Sequence, residues 1–418
     1  MDIALWTFFG WTPERIATRG NCHGLAGVGT TPSRCDHVAR SLRRSWSGDG
    51  LNCFHGVGKR ARRLNAVRGG SAREGRVMKS RRNIWLALIL LAILHLAVFF
   101  AGFVSPYDPA LQNRDFPFAP PTKVHFVDAR GHFHLRPFVY QSAPQADDPS
   151  LYSESRGQEY PVRFFVDGTR YEIAWIFSSH IHLFGVDKSA QIFLAGTDDY
   201  GRDQFSRILY GGQISIAVGL LATGVSLSLG LLIGLLAGYY GKWLDSMTMR
   251  GAELFLVLPW LYVLLAVRAF LPLHASPTQV FFLLVTVIGT IGWARPARLI
   301  RGVVLSAKTH KYVLASRGFG ASDFHILRRH ILPHTYGILL TQAALLVPQY
   351  VAAESALSFL GLGLGEPQPS WGNLLANLQR YNVMVSDWWM FAPALALVSV
   401  SLGYLYIANA FQQQLQSN

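Results

Sequence analysis

Residues 311–334 read Lys-Tyr-Val-Leu-Ala-Ser-Arg-Gly-Phe-Gly-Ala-Ser-Asp-Phe-His-Ile-Leu-Arg-Arg-His-Ile-Leu-Pro-His and lie between two long apolar segments. In a chain that crosses a membrane, such a stretch is a loop on one side of it. Its punctuation is helix, Gly320, helix, Pro333. Tyr312 to Phe319 has room for two helical turns, and Gly320 supplies the positive φ at which helices commonly stop. Ser322 or Asp323 then caps a second helix running to His330, with Pro333 marking its end. A rigid helical elbow of this kind is suited to pushing on a soluble partner.

The rest of the chain fits a membrane protein. Half of its residues are hydrophobic and only 15% are charged, a ratio unusual for soluble domains. Apolar runs near 85–104, 212–238, 253–272, 278–294, 336–361 and 388–411 approach or exceed the roughly 20 residues that span hydrocarbon. Residues 295–334 hold eight Lys or Arg against the single acid Asp323, whereas 273–277 holds no basic residue and 365–387 only Arg380. The positive-inside rule therefore puts 295–334, 239–252 and both termini in the cytoplasm, leaving 105–210, 273–277 and 362–387 outside. No Walker glycine loop, nucleophile–base pair or paired catalytic carboxylates can be picked out, so the chain is not expected to be an enzyme. The net charge of +14 does not point to nucleic acid: residues 1–77 hold thirteen Lys or Arg against five acids, and cytoplasmic loops account for most of the rest.

The elbow resembles the cytoplasmic coupling loop of permease subunits in binding-protein-dependent ABC importers. That loop follows Glu-Ala-Ala, three residues, Gly, nine residues, Ile, any residue, Leu-Pro. Leu314-Ala315-Ser316 occupies the first positions, followed by Arg317, Gly318 and Phe319. Gly320 is the glycine, His330 stands at the isoleucine, and Leu332-Pro333 ends the pattern. Leu314 replaces the family's acidic residue, so the ion pair that a glutamate would offer an ATPase is missing here. Gly-Ala-Ser-Asp (Gly320, Ala321, Ser322, Asp323) resembles the C-type permease of the dipeptide/oligopeptide branch. So do Gly196-Thr197-Asp198-Asp199-Tyr200-Gly201-Arg202-Asp203, Glu354–Gly363 and Pro369-Ser370-Trp371-Gly372-Asn373. The likeness covers roughly 190–412.

The resemblance implies an all-α polytopic membrane protein of the bacterial inner membrane. Six transmembrane helices include a five-helix importer-permease core, with a small β-rich external segment between helices 1 and 2. It implies a homologous permease subunit, two cytoplasmic ABC ATPase subunits and an extracytoplasmic substrate-binding protein as partners. ATP hydrolysis would lie in those partners. Peptides are the implied cargo; nickel chelates, opines, glutathione or oligosaccharides travel through similar permeases. A secondary transporter would instead show repeated halves and broken midplane helices. Tyr312, Phe319 and Phe324 are the apolar anchors expected to enter an ATPase groove.

The expected divisions are an extension at 1–77, the first span at 78–104, an external segment at 105–210, the permease core at 211–412 and a cytoplasmic tail at 413–418. Residues 1–77 hold all three cysteines and show no periodicity. They read as disordered or as an upstream read-through, with translation starting at Met78. Their Cys-His pairs lack the Cys-x2–4-Cys knuckles of zinc sites. Externally, Val124–Val127 and His132–Leu135 alternate around Asp128–Gly131, and Val162–Val166 and Arg170–Ile173 around Asp167-Gly168, predicting two hairpins. His132 and His134 share a strand face, but His125, His132, His134, His180 and His182 read as ordinary half-exposed residues. No metal or cofactor is expected. Asp198, Asp199 and Asp203 read as turn and cap residues. Trp371, Trp388 and Trp389 read as interfacial anchors, and Gly219, Gly230, Gly234 and Gly238 as close-packing positions. Glu354, an acid within the fifth span, is open to a gating or a structural role.

Overall fold

The computed structural model describes residues 85–145, 152–173, 177–187, 190–269 and 276–417. The 1–77 segment, with its cysteines and the expected start at Met78, lies outside the described residues. The first described helix, α1 (Trp85–Phe99), gives way at Phe100 to the single turn α2 (Ala101–Val104). Beyond the stretch that carries the strands, α3 (Gln204–Tyr240) runs for 37 residues. Asp203 starts it: its carboxylate accepts from the Ser206 backbone N–H at 2.9 Å, the usual chemistry of an N-cap.

α4 (Lys242–Val257) and α5 (Trp260–Ala269) follow. The sequence predicts one span over 253–272, and the structure breaks it at Leu258-Pro259. Leu258 takes ψ 126°, the extended setting that a following proline imposes. α6 (Pro277–Ile291) opens on a capping box between Ser276 and Gln279. It bends by 41° into α7 (Ala294–Ala307), so the start of the expected cytoplasmic loop is helical. The elbow, with α8 (Lys311–Gly318) and α9 (Asp323–Ile326), then leads into α10 (Leu332–Phe359), and short helices α11 (Trp371–Ala376) and α12 (Tyr381–Ser386) precede α13 (Ala392–Ser417). Among the described residues, three helical runs are long and apolar enough to cross a membrane, at 204–240, 323–359 and 388–413. The bent pair α6–α7 makes a fourth if counted as one span.

Lipid tails are as apolar as leucine, so packing rather than hydrophobicity holds such helices together. α3 is the centre of that packing. A Cβ at Gly219 would lie 2.4 Å from Val351 of α10, and one at Gly234 would lie 2.6 Å from the Ala297 carbonyl of α7. These glycines are where backbones touch. Gly234→Val is therefore expected to wedge α3 off α7, at about 1–3 kcal/mol or more. A thermal melt of the detergent-solubilised chain checks this, and an unchanged melting temperature would refute the packing role.

Between α2 and α3, β1 (His125–Val127), β2 (Phe133–Pro144) and β3 (Tyr152–Pro161) form an antiparallel sheet in that order. β4 (Arg163–Ile173) and β5 (Phe177–Gly185) pair separately. The alternation around Asp128–Gly131 does form a turn between paired strands. The reading at Asp167-Gly168 needs correction: β4 runs straight through, with a register irregularity between Asp167 and Tyr171. Gly168 is there for space, since a Cβ on it would lie 2.4 Å from the His182 ring. Two tryptophan readings also need correction. Trp371 is fully buried and donates to the Ile208 carbonyl, and Trp389 donates to that of Thr197; Trp388 stays exposed.

Candidate functional site

The elbow is built as its residues dictate for its first half. α8 (Lys311–Gly318) ends where the Gly320 N–H reaches the Arg317 carbonyl at 3.0 Å and the Ala321 N–H reaches that of Ser316 at 3.1 Å. That pairing, with Gly320 at φ +80°, is the Schellman ending. Ser322 caps the next turn, α9 (Asp323–Ile326), accepting from the His325 N–H. Val313, Ile326 and Ile331 form the buried face, packed with Ile300 and Val304 of α7 and Tyr239 of α3.

Pro333 does not end the second helix. Residues 323–359 form one continuous helical run of 37 residues, passing through a π segment, Leu327–Ile331, into α10 (Leu332–Phe359), with Pro333 in its first turn. A proline lacks the N–H for the bond to residue i−4, and its ring collides with that carbonyl. The wider π turn relieves both, so the helix continues where the sequence predicts a stop.

The elbow's outward side is aromatic. Phe319 is 92% exposed and Phe324 71% exposed; Leu314, at the position of the family's acid, is also exposed. Tyr312 differs from the other two expected anchors. Its hydroxyl meets His334 Nε2 at 2.6 Å and its ring lies 5.9 Å from that of His330, so it braces α8 against the base of α10. A second brace was not legible in sequence: Tyr239 donates to Asp323 at 2.5 Å, and Arg317 donates to the same tyrosine hydroxyl at 3.2 Å. Ala315, Ser316 and Gly318 lie in the last turns of α8, Ala321 lies in the short connection to α9, and Leu332 starts α10.

Glu354 is fully buried on α10. One carboxylate oxygen accepts from Ser215 of α3 at 2.6 Å and the other from Ser358 at 2.6 Å. Ser215 in turn accepts from the backbone N–H of Trp371 at 3.2 Å. This geometry ties three helices together and favours the structural role. Beside α10, a cavity of about 180 Å³ is lined by residues including Trp260, Ile288, Arg295, Gln349 and Tyr350.

At the opposite end of α3 from the elbow, Arg202 Nε donates to the buried Asp198 at 2.7 Å, and its Nη1 to Glu366 at 2.7 Å; Arg207 Nη2 also donates to Glu366 at 2.7 Å. Burial alone would raise the Glu366 carboxyl, but Arg207 and Arg202 outweigh it and hold it below its ordinary value. Asp203 lies inside this cluster, pushed up to about 6 by burial against the bonds from Ser206 that lower it. The sequence marks the aspartates as turn and cap residues. It does not reveal that Glu366, across the fold, closes the cluster.

Residues 230–417 match the family described as binding-protein-dependent transport system inner membrane component. The dipeptide transport system permease protein DppC of Bacillus subtilis (strain 168) is 38% identical over 221 residues, covering 53% of this chain and 67% of that protein. A putative peptide permease protein of Brucella suis biovar 1 is 36% identical over 220 residues, 52% of this chain and 70% of its own. The oligopeptide transport system permease protein OppC of Haemophilus influenzae is 35% identical over 221 residues, 53% of this chain and 68% of its own. The methionine ABC transporter MetNI, inward facing, aligns at 17% identity and a TM-score of 0.37 over 49% of this chain and 95% of its own. On the identity and coverage of the sequence relatives, this chain belongs to the binding-protein-dependent transport system inner membrane component family and is a permease subunit of the ABC importer type.

Proposed function

We propose that this chain is the C-type permease of a peptide importer and turns ATPase closure into alternating access through the 311–334 elbow. The carrying observation is an exposed aromatic pair, Phe319 and Phe324, mounted on a braced turn whose second half runs unbroken into the membrane helix α10. Exposed aromatics of this kind are the side chains that dominate protein contacts. In this reading the chain crosses the membrane six times, with both termini and the elbow cytoplasmic and the strands outside. It lines half of the path beside a homologous permease, two cytoplasmic ATPase subunits hydrolyse ATP, and a separate binding protein delivers cargo. Peptide cargo is supported by the names of the relatives, which are dipeptide and oligopeptide permeases.

Two measurements test this. In a background with the native cysteines replaced by serine, Asp167→Cys is expected to react with an impermeant thiol reagent in intact spheroplasts and Lys311→Cys to be protected. The opposite pattern inverts the topology. Vesicles holding the full transporter are expected to accumulate a labelled dipeptide only with ATP and the binding protein. Uptake driven by a proton gradient without ATP would overturn the importer reading.

A further inference from the structure

The external sheet brings together four side chains that no part of the transport reading uses. Asp128 sits in the β1–β2 turn, where its Oδ1 accepts from the backbone N–H groups of Arg130 and His132, each at 2.8 Å. That leaves Oδ2 free to face two imidazoles: His132 Nδ1 at 3.1 Å and His134 Nε2 at 3.4 Å. From β3, Glu159 brings an oxygen to 3.9 Å from the same His134 nitrogen. One ligand atom each from Asp128, His134 and Glu159 falls within 4.8 Å of the others.

Two features separate this from ordinary histidine–carboxylate bonding. The His134 distances are longer than good N–H···O hydrogen bonds, which fall near 2.7–3.2 Å. The 3.4 Å between His134 and Asp128 is instead close to the edge of a tetrahedral site, where ligands about 2.0–2.1 Å from zinc stand roughly 3.3 Å apart, and Glu159 at 3.9 Å is one side-chain adjustment from it. Moreover, two carboxylates converge on one imidazole, and among the described residues neither pairs with Lys or Arg.

We propose that Asp128, His134 and Glu159, with His132 at the rim, form a binding site for a zinc-like divalent transition metal on the external sheet. The mixed imidazole and carboxylate set suits such an ion better than calcium or magnesium, which take oxygen ligands. Bound there, the metal would join the β1–β2 turn to β3. The inference does not depend on the importer reading.

The test is a titration of the purified, untagged full chain in detergent, with Cys22, Cys35 and Cys53 replaced by serine. Co2+ is the spectroscopic probe and Zn2+ the competitor. One equivalent of Co2+ with visible d–d absorption, displaced by Zn2+, is expected. Loss of an outer-shell partner already weakens metal sites about 10–100-fold, so His134→Gln and Asp128→Asn should each cost at least about tenfold in affinity, while His180→Gln costs nothing. His134→Cys should retain binding and add a thiolate-to-cobalt band in the near ultraviolet, which a folding defect cannot mimic. Absence of saturable binding, or equal affinity in His134→Gln and Asp128→Asn, would overturn the site.

Discussion

Gly320→Val is expected to abolish ATP-driven uptake and weaken retention of the ATPase subunits, while the chain still inserts in the membrane. A Cβ at Gly320 meets nothing within 4 Å, so the effect does not come from a clash. It comes from φ +80°, a setting that costs an L-residue with a branched Cβ on the order of 1–2 kcal/mol. The two Schellman bonds hold only in that setting, and without them α8 leaves α9 at another angle and Phe319 is presented at a different angle to Phe324. Gly320→Asn separates conformation from side-chain bulk, because asparagine tolerates this region. Uptake and ATPase co-purification should survive in the asparagine variant and fail in the valine variant. Normal uptake by Gly320→Val would remove the elbow from the coupling mechanism, and a defect confined to cargo affinity would put the residue in the wrong step.

Arg202→Met should destabilise the fold by about 3–5 kcal/mol, the scale of breaking a buried charge pair by removing one partner. Arg202 is nearly buried and Asp198 fully so, and the guanidinium bridges Asp198 to Glu366 in a way that no single ammonium reproduces. Arg202→Lys is therefore expected to restore only part of the loss. Combined with Glu366→Gln, the effects should fall short of additive, since both remove the same contact. A thermal melt reads the single and double variants, and an Arg202→Met chain as stable as the parent would refute the clasp. The pH dependence has a definite sign. Glu366 titrates below its ordinary 4.5 when folded, so its contribution is complete above that pH and is lost as pH falls through the depressed value.

The elbow was legible because its signals are local: one glycine, one capping serine, one aromatic at each corner. Pro333 misled, because proline reports a missing N–H and a ring but not whether a π turn absorbs them. Gly168 misled for a related reason. Asp-Gly between alternating strands reads as a turn, yet here the glycine makes room for His182, which lies 14 positions on. Trp371 reads as an interfacial anchor because indole suits that depth, but its N–H finds a carbonyl on α3 and the ring is buried. The contacts that assemble the sites were out of reach altogether. Glu366 lies 164 positions from Arg202, and no periodicity connects them. Glu159 sits on β3 opposite Tyr140, and only its side chain comes within 3.9 Å of His134, while the sequence offers only the histidines and the turn aspartate.

The π segment has a bearing on angular phase. An α-helix advances about 100° per residue, so one extra residue in a single wide turn rotates everything beyond it by that amount. Leu327–Ile331 thus sets the azimuth at which Phe324 points when Glu354 faces α3. Over the roughly 55 Å of the 323–359 run, the helix behaves as a shaft with a keyway cut near the end that meets the elbow. The direction in which the elbow faces and the direction in which the membrane helix faces are set separately, and five residues decide the angle between them.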